Sequence, residues 1–195
     1  MFIESIKIQN GQILLEDLHL KRIQNTQLET YGFIYIKNLQ INVPATFQDS
    51  TVKCRLYYHQ SITKIEFEIY QPKLIRNLKL VEDSNIDYHL KYANRSYLNN
   101  LKEKNSNYSD IIITQNGYLT DTSYTNIILY DGYHYLTPDT YLLNGIQRQY
   151  LLANGLVQEQ KIHRNTLQNF QTLFLINTML SWHNKIPVPI SNIDY

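Results

Sequence analysis

Cysteine is almost absent from this 195-residue chain, which contains Cys54 alone. A single cysteine excludes an internal disulfide and favours a reducing compartment. Paired cysteines of the kind that hold structural zinc are missing for the same reason. Cys54 stands in a stretch of alternating polar and apolar residues, so we expect it to be a small core residue and not a catalytic thiol.

Long apolar runs are also missing. No stretch approaches the roughly 18 consecutive apolar residues that a membrane-spanning helix requires. The N-terminus MFIESIKIQNGQ contains the acidic Glu4 and lacks the apolar core of a signal peptide. Charged residues make up 18% of the chain and the formal net charge is +1, which argues against a nucleic-acid or membrane partner. The composition therefore predicts a soluble, cytoplasmic, globular protein.

Several common catalytic motifs do not occur. The chain has no G-x-S-x-G nucleophile elbow, no H-E-x-x-H zinc motif and no Walker loop. Its six histidines are scattered without the spacing of metal ligands. We therefore expect no metal site, and the candidate chemistry must come from other residues.

The first half of the chain carries clear local signals. The runs FIESIKI and QILL flank an Asn-Gly pair and predict a β-hairpin. The next segment predicts a helix that starts near Asp17 and stops at Gly32, with His19 and Arg22 on one side. Residues 51–70 alternate in the manner of two antiparallel strands. The mixed segment PKLIRNLKLVEDSNID is then expected to carry the chain into a second lobe.

The second half predicts further strands and two helices. ANRSYLNNLKEK is helical in character, and the Asn-Gly and Asp-Gly pairs that follow predict a β-meander. LLNGIQRQYLLANG predicts a helix capped by Asn144 and ended by Gly155. TLFLINTML is expected to be a buried strand and IPVPI an extended segment. Together these patterns predict an α+β fold with mixed sheets in two lobes, 1–87 and 88–195.

The remaining polar residues suit pyridoxal 5′-phosphate, which requires a lysine for covalent attachment, a carboxylate for its pyridine nitrogen and a phosphate cup. Lys91, at a predicted strand-to-helix junction, is the candidate lysine, and Asp121, after a hairpin turn, is the candidate carboxylate. Gly145 opens a helix whose unpaired N–H groups suit a phosphate, and Arg22 adds a bidentate donor. Taken singly, each also fits an ordinary surface, turn or helix-start role.

Six segments taken together resemble the class IV aminotransferase family. FIESIK, LHLKR, LKYANR, GYLTDTSYTNI, YLTPDTYLLNGIQRQ and LFLINTM follow the order of the family motifs over nearly the full length. This family contains branched-chain and D-amino-acid aminotransferases and aminodeoxychorismate lyase. The resemblance implies fold type IV, with a small α/β lobe, a larger pseudo-barrel lobe, the cofactor between them and a homodimeric assembly.

The resemblance also assigns roles to individual residues. Lys91 matches the Schiff-base lysine, and Arg22 matches the arginine that binds the cofactor phosphate. Asp121 matches the acidic residue on the pyridine nitrogen, where the family usually has glutamate. The other cofactor-binding residues that it implies, most of them in the phosphate cup, are Asn126, Gly145, Ile146, Gln147, Asn177 and Thr178.

The activity within the family stays open among three candidates. The spacing of Lys91, Asn94 and Arg95, together with NGIQRQ, resembles a lyase that forms 4-aminobenzoate and pyruvate from a small amino substrate. The strand CRLYYHQSITKIEFEIY lacks the Gly/Arg-rich segment of the lyases, which keeps an aminotransferase as an alternative. The chain starts directly at FIES without the usual leading strands, which keeps a non-catalytic, cofactor-binding relative as a third.

Overall fold

The computed structural model describes residues 1–195, which form two compact units. The first unit comprises Met1–Pro72 and Leu90–Asn94, and the second comprises Lys73–His89 and Arg95–Tyr195. The division thus differs from the boundary predicted near residue 88. A short segment beyond that point returns to the first unit.

This returning segment is attached to the first strand by backbone hydrogen bonds. The N–H of Ile3 donates to the carbonyl of Lys91 at 3.0 Å, and the N–H of Ala93 donates to the carbonyl of Met1 at 3.1 Å. Leu90 and Tyr92, on either side of Lys91, pack against the core of the first unit. Lys91 therefore belongs to the first unit, whereas the sequence placed it in the second lobe.

The first unit contains a four-stranded antiparallel sheet in the order β2-β1-β3-β4 and one long helix. The predicted hairpin, helix and strand pair are all confirmed. The elements are β1 (Phe2–Gln9), β2 (Gln12–Ile13), α1 (Glu16–Tyr31), a 3₁₀ turn (Ala45–Phe47), β3 (Thr51–Tyr58) and β4 (Ile62–Ile69).

Side-chain alternation along β1 builds the core of this unit. Phe2, Ile6 and Ile8 are buried on one face of the strand, and Glu4 is buried among them. The helix α1 ends where the sequence predicts, at Gly32, which has φ 71° and donates its N–H to a carbonyl in the last turn. A side chain at that left-handed position would be strained, so glycine is the residue that ends the helix at low cost.

The second unit contains two sheets, with strand orders β13-β5-β6-β7 and β10-β9-β8-β11-β12. Its strands are β5 (Leu78–Glu82), β6 (Asp110–Gln115), β7 (Tyr118–Thr122), β8 (Asn126–Tyr130), β9 (Tyr135–Pro138), β10 (Gln158–Gln160), β11 (Thr172–Ile176), β12 (Ile186–Pro189) and β13 (Ile193–Asp194). Its helices are α2 (Ser96–Glu103), α3 (Ile146–Ala153) and the 3₁₀ turns Arg164–Asn169, Trp182–Asn184 and Ile190–Asn192.

The α+β class is confirmed, but two predictions for the second unit are wrong. The meander divides, because β6 and β7 belong to one sheet whereas β8 and β9 belong to the other. A turn closed by Thr122 and Thr125 separates them: the N–H of Thr122 donates to the carbonyl of Thr125, and the N–H of Thr125 donates to the Thr122 hydroxyl. The cap of α3 is Gly145, and the Asn144 side chain instead accepts a hydrogen bond from Arg148.

Three strands were not predicted: β5, β10 and β13. β5 lies within the segment expected only to link the lobes, and it pairs in parallel with β6 from Leu78 to Glu82. No helix combines the length and the apolar composition that crossing a membrane would require.

Candidate functional site

The buried carboxylate of Glu4, in the first unit, forms hydrogen bonds with two side chains from α1. The Nδ1 of His19 lies 2.6 Å from Oε2 of Glu4. Arg22 binds the same carboxylate with two groups, Nε to Oε1 at 2.8 Å and Nη2 to Oε2 at 2.5 Å. His19 and Arg22 are one helical turn apart and project from the same side of α1, as predicted.

The protonation states of this cluster follow from burial and charge. Burial alone would raise the pKa of Glu4, but the Arg22 charge and the hydrogen bonds from His19 and Arg22 lower that pKa to about 2. Burial lowers the pKa of His19, despite the opposing influence of Glu4. At neutral pH, Glu4 is therefore ionised and His19 is neutral. The hydrogen bond to Glu4 assigns the proton to Nδ1.

Lys91 is partly buried in the segment that returns to β1. Its positive charge contributes to lowering the pKa of His19, so the two side chains are within electrostatic range of each other. The structure therefore places two predicted site residues, Lys91 and Arg22, in the first unit, and His19 lies beside Arg22 on the same face of α1. The apolar neighbours of Lys91 are explained by packing, since Leu90 and Tyr92 anchor the segment.

A second buried carboxylate lies in the second unit. Asp121, one residue before the end of β7, accepts a hydrogen bond at Oδ1 from Nδ2 of Asn126 at 2.8 Å. Its Oδ2 accepts from the N–H groups of Leu142 and Leu143 at 3.1 and 2.9 Å. An ionised carboxylate offers about four acceptor positions. Oδ1 can therefore accept one further hydrogen bond.

No cation binds Asp121 directly. Burial raises the pKa of Asp121 to about 6, although the hydrogen bonds from Leu143 and Asn126 and the more distant charge of Arg148 act in the opposite direction. The residue retains 5% of its accessible surface. The site thus combines a carboxylate that lacks a cationic partner with a vacant acceptor position, which is what a protonated heterocyclic nitrogen requires.

The start of α3 lies beside this carboxylate. Asn126 donates to Leu143 as well as to Asp121, and its Oδ1 lies against Gly145. Asp121, Asn126 and Gly145 are therefore brought together by direct contacts. Ile146 is buried in the first turn of α3, as is Gln147. N–H groups in the first turn of a helix have no intrahelical acceptors and suit an anion.

Asn177 and Thr178 follow β11 directly and are both partly buried. The Oδ1 of Asn177 accepts the N–H groups of Met179 and Leu180 at 2.9 and 3.0 Å. Asn177 therefore stabilises its own turn, and its side-chain oxygen is committed to that turn.

The substitution Gly145→Ala is expected to destabilise the second unit. A Cβ at Gly145 would lie 1.9 Å from Oδ1 of Asn126, and that side chain is fixed by Asp121 and Leu143. Displacing it should lower the free energy of unfolding by about 1–3 kcal/mol, the usual penalty for disrupting a buried hydrogen-bonded group. Urea unfolding measures this change.

The variant Asn126→Ala provides the matched control, because it removes the atom that clashes. The double variant should lose less stability than the sum of the two single variants. Strict additivity would contradict a direct steric conflict between the two positions.

Glu4 was not predicted as part of the site. The available signal was a charged residue at an inward position of an alternating strand, since Glu4 shares a face with Phe2, Ile6 and Ile8. Such a residue is costly to bury unless it is paired. The position of its partners could not be read from β1 alone, because they lie 15 and 18 residues further along the chain.

Cys54 is buried in β3, and burial raises the pKa of its thiol to about 12. The thiolate that nucleophilic chemistry needs is therefore suppressed, in agreement with a core role. No group of three or more His, Cys, Asp or Glu side chains is arranged to hold a metal ion.

Solved structures share this architecture. One, from Haemophilus somnus 129pt and provisionally named a 4-amino-4-deoxychorismate lyase, is 28% identical, with a TM-score of 0.80 over 92% of this chain and 96% of that chain. Another is a hypothetical aminotransferase from Mycobacterium tuberculosis in its PLP-bound form. It is 14% identical, with a TM-score of 0.73 over 99% of this chain and 81% of that chain. The second likeness bears on the fold alone.

Sequence comparison gives the family. An uncharacterised protein of Haemophilus influenzae is 36% identical over 180 residues, which covers 90% of this chain and 96% of that protein. The family profile described as "Amino-transferase class IV" matches residues 1–188, almost the whole chain. The chain belongs to the class IV aminotransferase family.

Proposed function

We propose that this protein is a pyridoxal-phosphate-dependent enzyme that acts on the amino group of an amino acid or an amino-substituted acid. The observation that carries the proposal is the environment of Asp121. This carboxylate is buried, has no bound cation and keeps one acceptor position vacant at Oδ1. A pyridinium N–H supplies both the missing charge and the missing donor.

In this proposal, the other predicted residues bind the rest of the cofactor. Lys91 supplies a primary amine for covalent attachment to the aldehyde. Arg22 and the first turn of α3, which follows Gly145, would supply donors suited to a phosphate dianion. When bound, pyridoxal phosphate supplies an electron sink for negative charge at the substrate α-carbon. Lys91 would then move the α-proton through its Nζ as general base and acid.

We propose aminodeoxychorismate lyase as the first candidate activity, with 4-aminobenzoate and pyruvate as products. Lys91, Asn94 and Arg95 keep the lyase-like spacing, and the related Haemophilus somnus protein carries that provisional name. An amino-acid aminotransferase is the second candidate, because the family profile is that of the aminotransferases. Both activities use the same lysine and the same carboxylate, and they differ in the fate of the amino group.

The proposal can be tested in two steps. First, the purified protein is incubated with pyridoxal 5′-phosphate and then desalted to remove excess cofactor. A visible absorbance band that persists after desalting is expected, because the attached cofactor absorbs there. Aminodeoxychorismate is then added without any 2-oxo acid. Stoichiometric release of pyruvate and 4-aminobenzoate supports the lyase, whereas product formation only in the presence of a 2-oxo acid and an amino acid supports the aminotransferase.

A protein that retains no cofactor after desalting would contradict both activities. A protein that retains the cofactor but converts neither class of substrate would favour a binding role without catalysis. The absorbance step therefore separates the enzyme hypotheses from a relative that has lost the site, and the product step separates the two enzymes.

A further inference from the structure

The Arg22 guanidinium is only partly used inside the protein. Its Nε and Nη2 bind the two oxygens of Glu4, which is a bidentate, planar arrangement. Its Nη1 has no hydrogen-bond partner, and the side chain retains 12% of its accessible surface. One edge of the guanidinium is therefore fixed by Glu4, and the remaining N–H groups are available to an external anion.

The carboxylate that fixes Arg22 is itself fixed. Oε2 of Glu4 accepts from both His19 and Arg22, and Oε1 accepts from Arg22. Glu4 and His19 have no accessible surface, so neither can contact a ligand directly. Any influence that they have on a bound anion must act through Arg22.

We propose that Glu4 and His19 are positioning residues that aim Nη1 of Arg22 at the cofactor phosphate. The inference rests on the proposed function, because it takes the phosphate of pyridoxal 5′-phosphate as the anion. It assigns Arg22 the role of an oriented hydrogen-bond donor and not that of an unrestrained positive charge.

The charges of the cluster support orientation over simple attraction. Ionised Glu4 cancels the charge of Arg22, and the neutral His19 adds none. If attraction of the phosphate were the main requirement, a buried anion beside the arginine would be a disadvantage. What Glu4 provides instead is a fixed guanidinium plane, which removes the cost of ordering a flexible side chain when the ligand binds.

His19 supports this arrangement without competing for the ligand. Its Nδ1–H donates to Glu4, and its Nε2 is the unprotonated nitrogen and lies buried without a partner. An unprotonated nitrogen cannot donate to a phosphate. His19 therefore acts on the anion only by holding the carboxylate that holds Arg22.

The test compares binding of pyridoxal 5′-phosphate with binding of pyridoxal, which lacks the phosphate. The ratio of the two dissociation constants isolates the phosphate contribution, and equilibrium dialysis measures it without any assay of activity. In Glu4→Gln the phosphate preference should fall about five- to tenfold, as expected for disordering one charge-assisted donor. Affinity for pyridoxal should stay within about twofold of the wild type.

The opposite results overturn the proposal. Removing the negative charge of Glu4 leaves Arg22 uncompensated, so simple attraction predicts a larger phosphate preference in Glu4→Gln. An increased or unchanged preference would therefore show that orientation is not the role of Glu4. An equal loss of affinity for both ligands would show that Glu4 only maintains the fold.

Arg22→Lys is the second measurement, and it decides the matter if Glu4→Gln does not fold. Lysine keeps the positive charge but cannot bind Glu4 with one face and present a directed donor with another. Its phosphate preference should also fall, and a preference equal to that of the wild type would overturn the proposal. Arg55→Lys is the matched control, because Arg55 also forms a bidentate pair with a glutamate of the same unit, Glu68. This substitution should leave the ratio unchanged.

Failure of the proposed function gives a different result. A wild-type protein that binds neither pyridoxal nor its phosphate would remove both the function and this inference. A wild-type protein that binds both ligands equally well would keep cofactor binding but would show that Arg22 holds no phosphate, which overturns the inference alone.

Discussion

Lys91→Ala is expected to abolish both covalent attachment of the cofactor and turnover. No other group can replace the Nζ of Lys91, because covalent attachment requires a primary amine and the proton transfer requires a base at the same position. Treating the loaded wild-type protein with sodium borohydride makes the attachment permanent. Peptide mass mapping should then locate the cofactor on Lys91, and the variant should carry none.

Two other lysines make this a stringent measurement. Burial lowers the pKa of Lys7 and of Lys185, and a lysine with a lowered pKa is more reactive towards aldehydes. Lys185 lies over the ring of Trp182 at 3.9 Å and donates to its backbone carbonyl. Recovery of the cofactor on Lys7 or Lys185 would contradict the assignment of Lys91. Lys91→Arg is the control for charge, and it too should carry no cofactor.

The sequence predicted the elements that short-range signals determine. The Asn-Gly turn before β2 and the stop at Gly32 depend on backbone conformations that few residues adopt, and such signals can be read locally. β5 was not predicted, because it is stabilised by parallel pairing with β6, about thirty residues away in the chain. Periodicity within five residues carries little information about such a partner.

The candidate residues of the two units were predictable to different degrees. The sequence predicts Asp121, Asn126 and Gly145 as cofactor-binding residues, and the structure brings them into contact. The sequence does not predict a role for Glu4, because its contacts with His19 and Arg22 form only where β1 meets α1. The sequence predicts Lys91 in the second lobe, whereas in the structure it lies in the first unit, because the attachment of residues 90–94 to β1 uses backbone hydrogen bonds that leave no pattern in the sequence.

Asp121→Asn is expected to reduce turnover by at least about a hundredfold, the usual effect of removing one group that stabilises developing charge. The amide has nearly the shape of the carboxylate but no negative charge. It cannot hold a proton on the pyridine nitrogen, so the bound ring becomes a weaker electron sink. Steady-state kinetics measures the loss, and the absorbance of the attached cofactor shows whether the variant still binds it.

The same variant tests the ionisation of Asp121 in the cofactor-free protein. In the wild type, the pKa of this group rises from 3.8 to about 6 on folding. The folded state therefore binds this proton more tightly than the unfolded state does. The resulting stabilisation is fully present below pH 4 and is lost as the pH rises to about 6. The loss is about 3 kcal/mol, at about 1.4 kcal/mol per unit of pKa.

Urea unfolding of the cofactor-free protein at a series of pH values measures this loss, and subtracting the curve of Asp121→Asn cancels the contributions of all other groups. The variant also places an amide donor opposite Nδ2 of Asn126, which lowers its stability by an amount that does not change with pH. The wild type should therefore lose its stability advantage over Asp121→Asn between pH 4 and pH 6.

The same measurement with saturating pyridoxal 5′-phosphate tests where the pyridine nitrogen binds. A cation beside the carboxylate should lower the pKa of Asp121, and the pH-dependent loss of stability should become smaller. A loss of the same size with and without the cofactor would mean that no positive charge binds at Asp121, and the pyridine nitrogen would have to be placed elsewhere.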